Sequence, residues 1–144
     1  MKLLILYVLL SASALSKSPD AFAGTWRLNV KKSIFKVKDD TYKAGERTYT
    51  LTPDGERVQW TLVDSDGKEV TGEYAVHCVH SECRSDAVRW KQTAPRTVHG
   101  ELVENGVVTR RYLRTVTPDG RSLTIKFYKS DATTLTSVQV WERR

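Results

Sequence analysis

Seven residues, "HCVHSEC" from His77 to Cys83, hold both cysteines and two of the three histidines of this 144-residue chain. Thiols and imidazoles are the ligand types of a zinc site. Structural zinc sites usually join two separated ligand pairs, however, and four ligands inside seven residues make a poor tetrahedron. A disulfide between Cys78 and Cys83 across the tip of a hairpin would close a small loop, restricting the unfolded chain by about 2 kcal/mol on the loop-entropy model. Free thiols are the third reading, and the compartment bears on the choice. The remaining histidine, His99, sits on the solvent-facing parity of a strand-like stretch. The chain carries no G-x-S-x-G elbow, no H-E-x-x-H pair and no glycine-rich phosphate loop. No catalytic residue, metal ligand or cofactor is therefore assigned, and the expectation is a protein that is not an enzyme.

A second grouping is basic. In "TRRYLR", Arg110, Tyr112 and Arg114 share one face if the stretch is a strand, and the next strand adds Arg121 and Lys126. Cations beside an aromatic ring suit phosphate contact with base stacking. They equally suit weak contact with an anionic membrane or envelope polymer. The plainer alternative is a solvated strand face whose charges discourage edge pairing. A formal charge of +6, from 23 Lys and Arg against 17 Asp and Glu, permits such contacts without requiring them.

The start, "MKLLILYVLLSASALSKS", decides between these partners. Lys2, the apolar run Leu3 to Leu10 and the small residues after it form the pattern of a secretory signal peptide, and the run is too short to span a bilayer. Ala12-Ser13-Ala14 offers the preferred cleavage site, after Ala14, with Ala21-Phe22-Ala23 as a second. The expected organisation is a leader over 1–14, a short linker over 15–23 and one domain over 24–144. A secreted or periplasmic location argues against nucleic acid as a partner. It also favours the disulfide over free thiols.

The elements that must position these residues are β-strands. Turn signals recur at Pro53-Asp54-Gly55, Ser65-Asp66-Gly67, Ala94-Pro95, Asn105-Gly106, Pro118-Asp119-Gly120 and Ser130-Asp131. Between them the apolar residues alternate, as in Val58, Trp60 and Leu62, or Leu123, Ile125 and Phe127. The stretch from Lys31 to Glu46 is too polar and irregular for either period, and fits one short helical turn or an extended connection. Short connections make an antiparallel up-and-down meander of about nine strands, and closure into a barrel, rather than a sandwich, removes the exposed edges. Thr50 to Thr71 and Thr115 to Thr136 align without gaps as strand, PDG turn, strand, SD turn, strand, which shared turn chemistry explains as well as duplication does.

Gly24-Thr25-Trp26 near the start of this domain resembles the entry motif of the calycin barrels, the lipocalins and fatty-acid-binding proteins. There the glycine lets the chain turn in closely and the indole plugs the base of the barrel. The fuller string "GTWRLNVKKSIF", with "ERTYT" and "RTVTPDGRSLT", is similar to a bacterial group of small secreted lipocalin-like proteins with no assigned activity. Two departures matter. The His77 to Cys83 loop stands where that group carries a Gly- and Pro-rich loop. Where fatty-acid-binding proteins place Arg-x-Tyr on the last strand to hold a carboxylate, this chain has Gln139-Val140-Trp141. A neutral amide gives no charge-assisted bidentate contact, so Gln139 favours a neutral head group if it faces inward. An outward-facing Gln139 is the alternative.

Trp60, Tyr74, Val76, Trp90, Leu102, Ile125 and Phe127 are the expected interior residues, and a barrel of this size is wide enough to hold a small ligand. The expectation is a monomeric, non-catalytic barrel binding a small hydrophobic or neutral amphipathic molecule in its lumen. The competing expectation is an interaction module whose side chains fill the core and whose basic outer face meets a partner.

Overall fold

Each turn signal in the sequence separates two strands of one continuous ladder in the computed structural model, which describes residues 20–144. The expected leader over 1–14, and the linker up to residue 19, lie outside the described residues. The strands are β1 (Gly24–Leu28), β2 (Ile34–Phe35), β3 (Tyr42–Thr52), β4 (Gly55–Asp64), β5 (Glu69–Val79), β6 (Glu82–Arg84), β7 (Val88–Ala94), β8 (Thr97–Glu104), β9 (Val107–Val116), β10 (Ser122–Lys129) and β11 (Leu135–Arg143). From β3 onward each pairs antiparallel with the next, and β1 bridges β3 and β11, closing the circle through Trp26 opposite Arg143 and Leu28 opposite Trp141. The result is an all-β, up-and-down, calycin-like barrel. Among the described residues only β2 lies outside the closed ring, pairing with β11 where β1 has ended. The short β2 and β6 account for the excess over the nine strands expected, because two or three residues show no alternation. The irregular stretch after β1 holds both β2 and a 3-10 turn at Lys38–Asp40.

One end of the barrel is packed solid. Trp26 is fully buried there, and its indole Nε1 donates to the Phe22 carbonyl at 3.0 Å. Phe22 is also fully buried, so the packed unit takes in a residue from the stretch expected to be linker. The Arg143 guanidinium lies 4.2 Å from the Trp26 ring and donates to the carbonyls of Ala21 and Ala23. Gly24, with φ at +120°, makes room for it: a Cβ there would fall 2.6 Å from Arg143 Nη1.

The cysteine question resolves into a disulfide. Cys78 and Cys83 are directly opposed on the β5–β6 hairpin and bonded, with His80 at φ 57° in the turn between them. His77 is exposed and its Nδ1 lies 3.0 Å from an Asp54 carboxylate oxygen. Among the described residues no cluster of His, Cys, Asp and Glu has a metal-binding arrangement.

The basic outer face, by contrast, does not exist as a unit. Arg121 and Lys126 are exposed, but Arg114 is only 1% exposed and Arg110 is partly buried, both on the inner wall with Tyr112. The cause is a β-bulge. The β8–β9 hairpin starts with Glu104 opposite Val107, then slips one residue between Val103 and Leu102, so Leu102 faces Arg110 and Val98 faces Arg114. One residue of slip turns every following side chain to the other face.

Candidate functional site

The inner wall follows from strand parity. On β4 the residues Glu56, Val58, Trp60 and Leu62 point inward, on β9 Arg110, Tyr112, Arg114 and Val116, and on β10 Leu123, Ile125 and Phe127. Two large rings fit because their cross-strand partners are glycines. Trp60 lies over Gly72 and Tyr112 over Gly100, where a Cβ would fall 2.2 and 2.0 Å from ring atoms.

The half of the barrel away from the Trp26 plug is open, with a cavity of about 530 Å³. Of the interior residues expected from the sequence, Trp60, Tyr74, Leu102, Ile125 and Phe127 line it, and Gln139 faces inward beside them. Val76 and Trp90 are buried but do not reach the cavity; they belong to the packed half. The Gln139 amide oxygen accepts from Trp141 Nε1 at 3.3 Å.

The polar wall residues fall into three groups; the sequence singles out Arg110 and Arg114 but not their inward placement or their partners. At the mouth, Asp40 from the 3-10 turn is buried and accepts from Arg110 Nη2 at 2.8 Å, Ser137 Oγ at 2.6 Å and Thr136 Oγ1 at 3.1 Å. Arg110 also lies 4.6 Å from the Phe127 ring. At the floor, Arg114 Nη2 donates to both Glu56 carboxylate oxygens at 2.9 and 3.2 Å. The Arg114 guanidinium is sandwiched by Phe22, Tyr49 and Trp90 at 4.4 to 5.0 Å, which separates the cavity from the plug. Burial pushes the Glu56 carboxyl up, partly offset by the Arg114 charge.

The third group is Arg47 on β3. Its guanidinium carbon lies 5.3 to 5.8 Å from the rings of Tyr49, Trp60 and Trp141, and among the described residues no carboxylate lies within ion-pair distance of it. Its Nε is buried without a hydrogen-bond partner, as are Arg114 Nε and Nη1. Burial raises the pKa values of Tyr74 and Tyr112, so both phenols stay protonated and the Tyr112 O–H is a donor. Counting the buried and half-buried charges, Asp40 offsets Arg110 and Glu56 offsets Arg114, while Arg47 is left over. The wall therefore offers several buried donors without acceptors, and Arg47 is a half-buried cation without an ion-pair partner, while the exposed carboxylates of Glu73 and Glu104 also line the cavity. Its remaining surface is aromatic or aliphatic.

A second depression, about 610 Å³, lies on the outer wall over β6 to β9. Most of its charges answer one another: Glu101 meets Arg111 at 2.9 Å and Arg89 at 3.9 Å, and Lys91 meets Glu82 at 3.8 Å, leaving Arg84, which is solvent-exposed. The lumen is the site whose unpartnered polar groups are buried.

Among solved structures the fold has relatives at low sequence identity. As-p18, an extracellular fatty acid binding protein, matches over 88% of this chain and 98% of its own, with a TM-score of 0.51 and 13% identity. The zebrafish ileal bile acid-binding protein complexed with cholic acid matches over 86% of this chain and 99% of its own, with a TM-score of 0.42 and 13% identity. No protein-family model matches the sequence, and no curated protein is significantly similar to it. At this identity the likeness to As-p18 establishes the barrel fold.

Proposed function

We propose that the protein is a non-catalytic binding barrel that holds a small amphipathic molecule in its lumen, apolar part against Trp60, Leu102, Ile125 and Phe127, and that the molecule's head group is anionic. The observation that carries this is Arg47, a half-buried guanidinium lining a 530 Å³ cavity with no carboxylate within ion-pair distance among the described residues. Sequence reading favoured a neutral head group because Gln139 replaces an arginine. A neutral ligand that covered Arg47 would leave its half-buried charge and its unpartnered Nε unanswered, which is costly. The fold shared with an extracellular fatty acid binding protein supports the same reading. A secreted or periplasmic location is part of the proposal, supported by the apolar leader pattern and the Cys78–Cys83 disulfide. So is a monomeric state, supported by closure of the ten barrel strands.

The rival reading, a filled core that meets its partner through a basic outer face, loses both supports. Half the lumen is open, and two of the four arginines and lysines of that face are inside.

The test is fluorescence titration with dansylaminoundecanoic acid and with the corresponding primary alcohol. The wild type is expected to bind the acid more tightly. Arg47→Met is expected to weaken the acid by about 10- to 100-fold, the worth of a charge-assisted hydrogen bond, and to leave the alcohol nearly unchanged. Equal binding of acid and alcohol by the wild type contradicts the anionic head group. No binding of either contradicts the lumen reading itself.

A further inference from the structure

The segment between β1 and β3 is a strap lying across β11. Its backbone is tied there by Asn29 N to the Val140 carbonyl at 2.8 Å and Lys36 N to the Thr136 carbonyl at 2.9 Å, and its end is anchored by Asp40. Those ties leave its outer side oddly composed. Val30, Ile34 and Val37 are three of the seven large apolar side chains exposed among the described residues, and all three fall within eight consecutive positions. Ile34, at 54%, stands well clear of the surface. Between them come Lys31, Lys32 and Lys36, with Lys38 directly after Val37, all exposed. Only Lys32 has a carboxylate partner, Glu142 at 3.4 Å; Asp39 is the one exposed acid in the segment.

Sheet register extends the surface beyond the strap. Ile34 is opposite Val138, and Val138 is opposite Lys126, so the three share the outer face in one row. The strap ends at the lumen's mouth, where Asp40 and Tyr42 line the cavity.

We infer that this strap is a docking surface for an anionic lipid bilayer. Alternating apolar and lysine residues are the composition that lies in a membrane interface, the apolar side chains entering below the head groups while lysines meet their phosphates and carboxylates. An acidic protein would be met by the lysines but gives no reason for solvent-exposed Val30, Ile34 and Val37 among them. The strap is already held to β11, so docking orders little new chain. It would set the mouth of the lumen against the surface from which an amphipathic ligand enters.

The test is co-sedimentation of the protein with vesicles of about 30 mol% phosphatidylserine in phosphatidylcholine, against pure phosphatidylcholine, at low and at about 0.5 M salt. Binding is expected on the anionic vesicles at low salt, falling about tenfold or more on neutral vesicles or in high salt. Lys31→Glu/Lys36→Glu/Lys38→Glu and, separately, Ile34→Asp are each expected to reduce it strongly. These side chains are exposed, so both variants should fold, which circular dichroism checks. Arg84→Glu/Lys91→Glu/Arg96→Glu, on the opposite wall with the same net charge change, is expected to bind as the wild type does. Equal loss in that control, retention in both strap variants, or absence of wild-type binding overturns the proposal.

Discussion

Arg114 and Glu56 show how much a single inward position can demand. A guanidinium and a carboxylate, both almost wholly excluded from solvent, share two hydrogen bonds beneath the cavity, yet Arg114 Nε and Nη1 find no partner. A buried pair of this kind adds little net stability, because desolvation of both ions offsets their attraction; removing one partner is what costs. Glu56→Gln is expected to destabilise the barrel by about 3–5 kcal/mol, since it strands the Arg114 charge. The double variant Glu56→Leu/Arg114→Met should recover most of that loss. Urea unfolding of the three proteins checks this, and a double variant less stable than Glu56→Gln would contradict it. Arg114 lines the same cavity as Arg47, so on the proposed reading its unpartnered donors are positions for a ligand's anionic oxygens.

At the scale of elements, the turns were legible and the bulges were not. Asn105-Gly106 promised a two-residue hairpin, and both residues have the positive φ that such a turn requires, at 49° and 78°. The two Thr-Pro-Asp-Gly turns repeat one chemistry, the Asp54 and Asp119 carboxylates each accepting from the preceding threonine hydroxyl. Alternation placed Val58, Trp60, Leu62, Ile125 and Phe127 inside because their strands carry a steady two-residue period. It misplaced Arg110 and Arg114 because a one-residue slip at Leu102 leaves no mark on the sequence of β9. The signal that existed was Val116 and Tyr112 sharing their parity, two bulky residues on what was read as a solvated face. Arg47 was hidden in another way: "ERTYT" is polar throughout, and no period distinguishes its inner face.

The β10–β11 turn carries a pH dependence. The side-chain hydroxyl of Thr134, then the backbone N–H groups of Thr134 and Thr133, hold the Asp131 carboxyl well below the usual range. A carboxyl whose folded pKa is lowered contributes stability that is complete above its unfolded value, about 4, and is lost as pH falls below it. Asp131→Asn should therefore be less stable than the wild type at about pH 7, with the gap shrinking at about pH 2. A gap independent of pH, measured by urea midpoints, would mean that the turn does not depend on the charge.

Taken as a whole molecule, the barrel divides into a packed half and an open half. Trp26, Phe22 and Arg143 seal one end, the Arg114–Glu56 pair forms the floor, and the Asp40–Arg110 pair with the strap frames the mouth. This arrangement separates stability from binding: the sealed half and the closed ladder hold the fold, so the open half can keep about 530 Å³ unfilled. Arg47, without an ion-pair partner among the described residues, is in the open half. Native mass spectrometry of the purified protein, followed by denaturation and intact mass, tests the central claim most directly. The account predicts a co-purifying small acid released on unfolding, seen in negative-ion mode. A native ion of bare chain mass that gains no adduct from a panel of amphipathic acids would contradict it.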